Sequence, residues 1–308
     1  MPAIWALLKE TFQAWKADQA PRLAAALSYY TVFSLPPLLV ILLAIVGLMF
    51  DGEQVSQALV TEFSELIAPQ TAQAIGTVID NVGTSASGPL ASIVGVALLL
   101  LGASGVFGQL QHALNIIWKV SPRQEPGLKG LLRKRLFSFL MVLAVGFLLL
   151  VSLVLSTALT LLSAYLAQLL PGAASLIPVA NVLISFLVIT VFFALMFKLM
   201  PDAVTAWRDI WLGAAVTSVL FSLGKQVIGF YLARSSLASA FGAAASVILI
   251  LAWVYYTAQI MFLGAEFTHA FANRYGQGTK PEAYAEPIAT AARAGQGLQP
   301  AARPGRVP

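Results

Sequence analysis

The longest stretch of the chain without a charged side chain, residues 136–197, determines the class of protein. As one helix it would be about 93 Å long, about three times the thickness of the hydrocarbon core of a bilayer. Pro171, Gly172 and Pro178 lie inside it, and proline ends a helix while glycine permits the chain to reverse. We therefore interpret the stretch as two membrane-spanning helices joined by a turn.

Apolar runs of similar length recur along the chain and predict an all-α membrane protein, a bundle of six transmembrane helices. Each run exceeds the roughly 20 residues that a helix needs to cross a bilayer. The predicted spans are residues 23–50, 89–118, 136–166, 179–200, 210–232 and 237–266. The first contains Pro36-Pro37, which we expect to bend its helix.

The spans imply three parts of the chain. A helix at residues 1–22 precedes a membrane domain at residues 23–275, and residues 276–308 form a tail. The tail is rich in Gly, Ala, Pro, Gln and Arg and has few large apolar residues. Such a composition cannot bury a core, so we expect the tail to be disordered.

Two segments outside the spans show helical periodicity. In residues 51–88, apolar positions recur on both sides of Pro69, and the charged residues there are all acidic. We expect two external amphipathic helices over the end of the bundle, acting either as a packed cap or as a gate or docking surface. Before the first span, a helix with an apolar side is predicted, formed by Ile4, Leu8, Phe12 and Trp15. That pattern is typical of a helix lying in the cytoplasmic interface.

The basic residues give the orientation of the bundle. All of the 18 Lys and Arg residues except Lys225 and Arg234 lie in the N-terminal segment, in the connections after spans two and four, or in the tail. Both termini are therefore predicted to be cytoplasmic. The net charge of +5 is carried at membrane edges, so we expect no nucleic-acid partner. The chain has no cysteine, which excludes disulfides, thiolate metal sites and cysteine nucleophiles.

Polar side chains within the predicted spans are the candidates for function, because polar groups in hydrocarbon are costly. They comprise Gln109, Gln111, His112 and Asn115 in span two and Tyr255, Gln259 and Glu266 in span six. Two interpretations remain open for the span-two group: packing between helices, or a hydrated cavity that faces the cytoplasm. Glu266 either pairs with Arg274 or Arg22 at the interface or lines the same cavity as His112, where the two groups would relay protons.

Span five carries a basic residue among apolar ones. Ser218, Ser222 and Lys225 recur at helical spacing, and Lys225 lies about 22 Å from the cytoplasmic end of the span. Its ammonium group either reaches the outer interface or, with the two serines, attracts an anionic headgroup that passes along the bundle.

Several short segments carry a family resemblance. They are residues 24–31 (AAALSYYT), 34–37 (SLPP), 110–118 (LQHALNIIW) and a closing block with Tyr231, Phe241-Gly242, Trp253 and residues 263–266 (LGAE). The chain resembles the YihY/BrkB family of bacterial inner-membrane proteins, once mislabelled ribonuclease BN. The resemblance implies six spans with cytoplasmic termini and a part in envelope integrity and lipid or lipopolysaccharide handling. It brings no settled biochemical activity. Phe241 stands where the family commonly has tyrosine, so a role that needs that hydroxyl is in doubt.

Three classes of function compete. The first is transport of a lipid or other anionic amphiphile, such as a lipopolysaccharide precursor, with membrane lipids as partners. The second is a scaffold for an envelope complex, with a homo-oligomer or another envelope protein as partner. The third is an enzyme, which we do not expect: RNA hydrolysis at a metal needs clustered His and Asp ligands, and the chain has only His112 and His269. No catalytic residue, metal or other cofactor is predicted.

Overall fold

The computed structural model describes residues 2–47, 105–122, 177–234 and 245–288. These parts are mostly helical. The helices are α1 (Pro2–Ala17), α2 (Ala20–Gly47), α3 (residues 105–117), α4 (Ile177–Leu199), α5 (Trp207–Arg234) and α6 (Ala245–Tyr275). Four short strands accompany them: β1 (Val120–Pro122), β2 (Ala203–Val204), β3 (Lys280–Pro281) and β4 (Ala285–Pro287).

Three of the described helices are long and apolar enough to cross a membrane. The qualifying segments are Val182–Leu199 of α4, Trp207–Leu232 of α5 and Ala245–Tyr275 of α6. They correspond to the predicted spans four, five and six. The third predicted span and the external segment at residues 51–88 lie outside the described residues, so the total of six spans stays a prediction.

Helix α2 covers residues 23–47 of the predicted first span and is not interrupted by Pro36-Pro37. Its hydroxyl groups bond to carbonyls of the preceding turn. Ser28 Oγ donates to the carbonyl of Ala25 at 2.9 Å, and Thr31 Oγ1 donates to that of Leu27 at 2.8 Å. Such local bonds satisfy a hydroxyl without a partner on another helix, which allows it to lie in an apolar helix.

The core of the bundle is built around α6, which packs against α5, α2 and α1. The contact between α5 and α6 uses two matched glycine–threonine pairs: Gly213 lies against Thr268, and Gly264 lies against Thr217. A methyl group on either glycine would clash with the side chain of its threonine. Small residues at these positions therefore let the two backbones approach closely, as is common between membrane helices.

The chain beyond α6 folds back over one end of the bundle. Helix α6 ends where the N–H groups of Gly276 and Gly278 both donate to the carbonyl of Ala272, at 3.1 and 2.9 Å. Gly278 has a φ of +75°, a conformation that favours glycine. Strand β3 then pairs antiparallel with β2, and β4 pairs antiparallel with β1.

These strands correct one prediction. Residues 276–308 were expected to be disordered, but residues 276–288 include β3 and β4 and are therefore ordered. The pairing satisfies backbone groups and needs no large apolar side chains, so the composition of the segment did not reveal it. Residues 289–308 lie outside the described part of the chain.

Candidate functional site

A buried aspartate organises the end of the bundle at which the strands lie. Asp202 is in the connection between α4 and α5 and is only 5% exposed. Its Oδ1 accepts a hydrogen bond from Gln111 Nε2 at 3.0 Å, and its Oδ2 accepts one from Asn115 Nδ2 at 2.7 Å. The backbone N–H of Asp202 donates in return to Asn115 Oδ1 at 2.8 Å. Two of the predicted site residues are thus joined, through a third that sequence reasoning did not select.

The C-terminal segment contributes the remaining contacts of Asp202. Tyr284, just before β4, donates its hydroxyl to Asp202 Oδ1 at 3.1 Å. The N–H of Glu282 donates to the carbonyl of Asp202 at 3.0 Å. We refer to Gln111, Asn115, Asp202 and Tyr284 as the Asp202 cluster. Its donors are uncharged, and hydrogen bonds from neutral donors to a carboxylate are stronger than those between neutral groups. The cluster ties α3, the α4–α5 connection and the C-terminal segment together.

Further polar contacts fix the same end. Trp118 Nε1 donates to Thr205 Oγ1 at 3.0 Å, and Lys198 Nζ donates to the carbonyl of Thr205 at 2.7 Å. Lys119 forms an ion pair with the buried Asp18, which precedes α2. These bonds join the segments that surround the Asp202 cluster. We therefore interpret the cluster as one that maintains the structure at this end of the bundle.

Ser218 of α5 lies in a packing contact. It is completely buried, and Thr190 Oγ1 of α4 donates to its Oγ at 3.0 Å. Ser218 Oγ in turn donates to the carbonyl of Ala214 at 2.8 Å. The hydroxyl of Ser218 therefore links α4 to α5. Ser222 and Lys225 lie further along the same edge of α5, where both are half-buried.

The other predicted residues occupy different surroundings. On α3, Gln109 is half-buried and His112 is exposed. On α6, Tyr255 and Gln259 are half-buried, whereas Glu266 is completely buried. The described hydrogen bonds join Gln111 and Asn115 to Asp202, and a cavity shared by the α3 and α6 residues stays a prediction.

The two arginines considered as interfacial partners of Glu266 have other described contacts, and a pair with either of them stays a prediction. Arg274 Nη1 lies 3.5 Å from Glu10 Oε2, and Arg22 Nη1 donates to Gln19 Oε1 at 3.3 Å. Helix α6 also runs nine residues beyond Glu266, to Tyr275, because the segment between them contains neither Gly nor Pro. Glu266 is consequently an interior residue of its helix.

Within the described ranges, no three His, Cys, Asp or Glu side chains gather closely enough to hold a metal ion. The candidate residues and Asp202 offer hydrogen-bonding amides, hydroxyls, the buried carboxyl groups of Asp202 and Glu266, and the ammonium group of Lys225.

Long apolar helices packed through glycines, with a polar network at one end, define a helical membrane protein. Comparison with known proteins gives the family: residues 11–289 match the family model described as "Virulence factor BrkB", so the chain belongs to the BrkB family, also called YihY/BrkB. The resemblance seen in the sequence is confirmed.

Curated relatives agree with this family and carry the name "UPF0761 membrane protein". One from Ralstonia nicotianae is 29% identical over 86% of this chain and 58% of its own length. One from Azotobacter vinelandii is 30% identical over 83% and 60%, and one from Vibrio campbellii is 30% identical over 82% and 77%. The chain thus spans about three fifths of the length of the first two relatives. No solved structure matches.

Proposed function

We propose that this protein is a six-span protein of the bacterial inner membrane, with both termini in the cytoplasm, that moves a lipid or other anionic amphiphile across the bilayer. The observation that carries the proposal is the half-buried Lys225 within the apolar helix α5. A charged residue within a membrane span is costly, and such residues often mark the path of a substrate or ion.

The chemistry of this edge of α5 fits an anionic headgroup. Ser222 lies about one turn from Lys225, so a hydroxyl and an ammonium group face the same direction at about 4.5 Å along the helix axis. An ammonium group provides a strong, compact charge for phosphate, and a hydroxyl donates an additional hydrogen bond. Ser218, one turn further, is completely buried against α4, whereas Ser222 and Lys225 are half-buried. The proposed path therefore runs along Ser222 and Lys225 and passes beside Ser218.

In this proposal the Asp202 cluster has a positioning role. It would hold the cytoplasmic ends of α3, α4 and α5 at fixed spacing, while the substrate contacts the half-buried side chains above it. Gln259 and Tyr255 of α6, both half-buried, are the candidates for the facing side of the path. We propose no enzymatic reaction.

The experiment is a lipid translocation assay in proteoliposomes. Headgroup-labelled phosphatidylglycerol in the inner leaflet is protected from a membrane-impermeant quencher unless the protein moves it outward. We expect wild type to move the lipid, Lys225→Ala to lower the rate at least tenfold, and Lys280→Ala, which removes an exposed lysine in β3, to leave the rate unchanged.

A wild-type rate equal to that of protein-free vesicles, for phosphatidylglycerol and for a labelled lipopolysaccharide precursor, would contradict transport. Equal rates for wild type and Lys225→Ala would contradict the path along α5.

The second candidate is a scaffold for an envelope complex, either with another envelope protein or as a homo-oligomer. The Asp202 cluster and the two strand pairs favour it. Their hydrogen bonds join separate segments of the chain into one surface at one end of the bundle, and such a surface can bind a partner. The scaffold proposal predicts a partner that co-purifies in fixed stoichiometry and is lost when Tyr284→Phe loosens that surface. It also predicts that Lys225→Ala retains the partner and the function in cells.

A further inference from the structure

Helix α1 has an exposed apolar face. Ile4 and Trp5 are 68% and 72% exposed, and Leu8 and Phe12 are 48% and 49% exposed. At 100° per residue, these four side chains occupy an arc of about 100° around the helix. A continuous exposed apolar surface of this kind marks an interaction site, because water solvates it poorly.

The other side of α1 is attached to the bundle. Leu7 and Thr11 are buried, at 5% and 3% exposure, and α1 packs against α6. Glu10 forms an ion pair with Arg274 near the end of α6, at 3.5 Å. The packing of α1 against α6 therefore fixes the direction in which the apolar arc faces. The arc lies next to the buried side of α1 that contains Leu7 and Thr11.

Positive charge borders the apolar arc. Lys16 and Lys9 lie about 20° and 40° beyond Trp5 around the helix, and both are exposed. Lys16 Nζ is 4.7 Å from the centroid of the Phe12 ring. The two acidic residues nearest to this surface are engaged elsewhere, Glu10 with Arg274 and Asp18 with Lys119. The exposed face of α1 thus combines apolar side chains with positive charge.

We propose that α1 lies on the surface of the bilayer and that Lys9 and Lys16 bind the phosphate groups of anionic lipids. A lipid surface fits this face of α1, because the order of side chains around the helix matches the order of acyl chains, headgroups and water at the surface of a bilayer. The apolar arc enters the acyl boundary, the lysines reach the headgroups, and Gln13, about 40° beyond Lys9, faces water.

The connection to the bundle supports the same occupant. Only Asp18 and Gln19 separate α1 from α2, the helix that covers residues 23–47 of the first predicted span. Helix α1 is therefore held where that span leaves the membrane, at the level of the headgroups. Anionic lipids attract juxtamembrane lysines by about 1 kcal/mol each, or about fivefold in affinity. The proposal rests on the cytoplasmic position of the N-terminus but does not depend on transport.

The absence of cysteine from the chain makes the position of α1 directly measurable. Single-cysteine variants Leu8→Cys and Gln13→Cys of the full chain are labelled with an environment-sensitive fluorophore in phosphatidylglycerol-containing nanodiscs. We expect an aqueous quencher to quench the label at residue 13 and not the label at residue 8, which the membrane protects. Equal quenching of the two labels would overturn the proposed position of α1.

The lipid preference is measured on the detergent-solubilised full chain with a short-chain phosphatidylglycerol. The double variant Lys9→Gln/Lys16→Gln is expected to lose at least tenfold in affinity, because each substitution removes a charged hydrogen bond to the lipid phosphate. Lys280→Gln, the matched control, should bind as wild type, and phosphatidylcholine should bind weakly to all three proteins. Equal affinity of the double variant and the control would overturn the assignment of the lysines. Because neither readout involves lipid movement, these results are separable from failure of the transport proposal.

Discussion

The polar side chains at the Asp202 end and those along the membrane helices satisfy their hydrogen bonds in different ways. In the Asp202 cluster, the amide partners of Asp202 are 87 and 91 residues earlier, at Asn115 and Gln111, and its third side-chain partner, Tyr284, is 82 residues later. Along α5, Thr217 and Ser218 donate to carbonyls four residues earlier in their own helix. The first arrangement exists only when separate segments of the chain are assembled, whereas the second forms with the helix itself.

This difference predicts how the two regions respond to substitution. A bond within one helix persists when neighbouring helices move, so a hydroxyl in α5 depends little on the tertiary fold. A bond between distant segments contributes to holding them together, and its loss leaves a buried group without a partner. We therefore expect substitutions in the Asp202 cluster to have larger effects on stability than substitutions of the hydroxyls within the helices.

The largest effect is expected for Asn115→Leu. This change removes both hydrogen bonds between Asn115 and Asp202, and it leaves the buried carboxylate of Asp202 with fewer donors. We expect the free energy of unfolding to fall by about 3 kcal/mol. The measurement is unfolding of the purified protein in mixed micelles by increasing SDS. Gln109→Leu, on the same helix and outside the cluster, is the matched control. Equal stability of the two variants would show that the cluster does not hold α3 in place.

Glycine substitution in the α5–α6 contact should come next. Gly264→Ala places a methyl group against Thr217, and overpacking of this kind costs about 1–3 kcal/mol. Gly108→Ala is the control, because a Cβ at Gly108 would meet no atom within 4 Å. The same unfolding assay compares them. If Gly264→Ala is as stable as Gly108→Ala, the close approach of α5 and α6 is not required.

Tyr284→Phe should have a smaller effect, about 1 kcal/mol, because it removes one hydrogen bond to Asp202 while Gln111 and Asn115 remain. The C-terminal segment should then open more often and be cleaved faster by a protease in limited proteolysis. Tyr275→Phe, at an exposed tyrosine, serves as control. Identical cleavage rates in the two variants would contradict a role of Tyr284 in fastening the segment.

The smallest effect is expected for Thr190→Val. It removes the bond to Ser218 between α4 and α5, and hydrogen bonds between membrane helices contribute about 0.6 kcal/mol on average. Ser218 retains its bond to Ala214. A loss as large as that of Asn115→Leu, measured in the same SDS titration, would remove the distinction between the two regions.

The sequence predicted the helices better than their ends or their partners. The apolar runs located α4, α5 and α6, because spanning a bilayer requires a length and composition that are visible in one sequence. The sixth span was predicted to end at Glu266. The residues after Glu266 are more polar, yet they continue α6 to Tyr275, just before the glycines at 276 and 278.

The candidate site was predicted only in part. Gln111 and Asn115 were selected because amides are unusual in a membrane span. Their partner Asp202 was missed, since a residue in a short connection carries no local sign that a distant helix bonds to it. Tyr284 was missed for a related reason: its segment has the composition of a disordered tail, and the strands that hold it in place depend on backbone pairing with distant connections.

In the proposed function, the Asp202 cluster maintains the structure, whereas the edge of α5 around Lys225 moves the amphiphile. The most direct test measures two quantities, the rate of phosphatidylglycerol translocation and the resistance to SDS unfolding, in Lys225→Ala and Asn115→Leu. We expect Lys225→Ala to lose translocation at wild-type stability, and Asn115→Leu to lose about 3 kcal/mol of stability. Translocation at the wild-type rate in Lys225→Ala, with its stability unchanged, would show that the edge of α5 does not move the amphiphile.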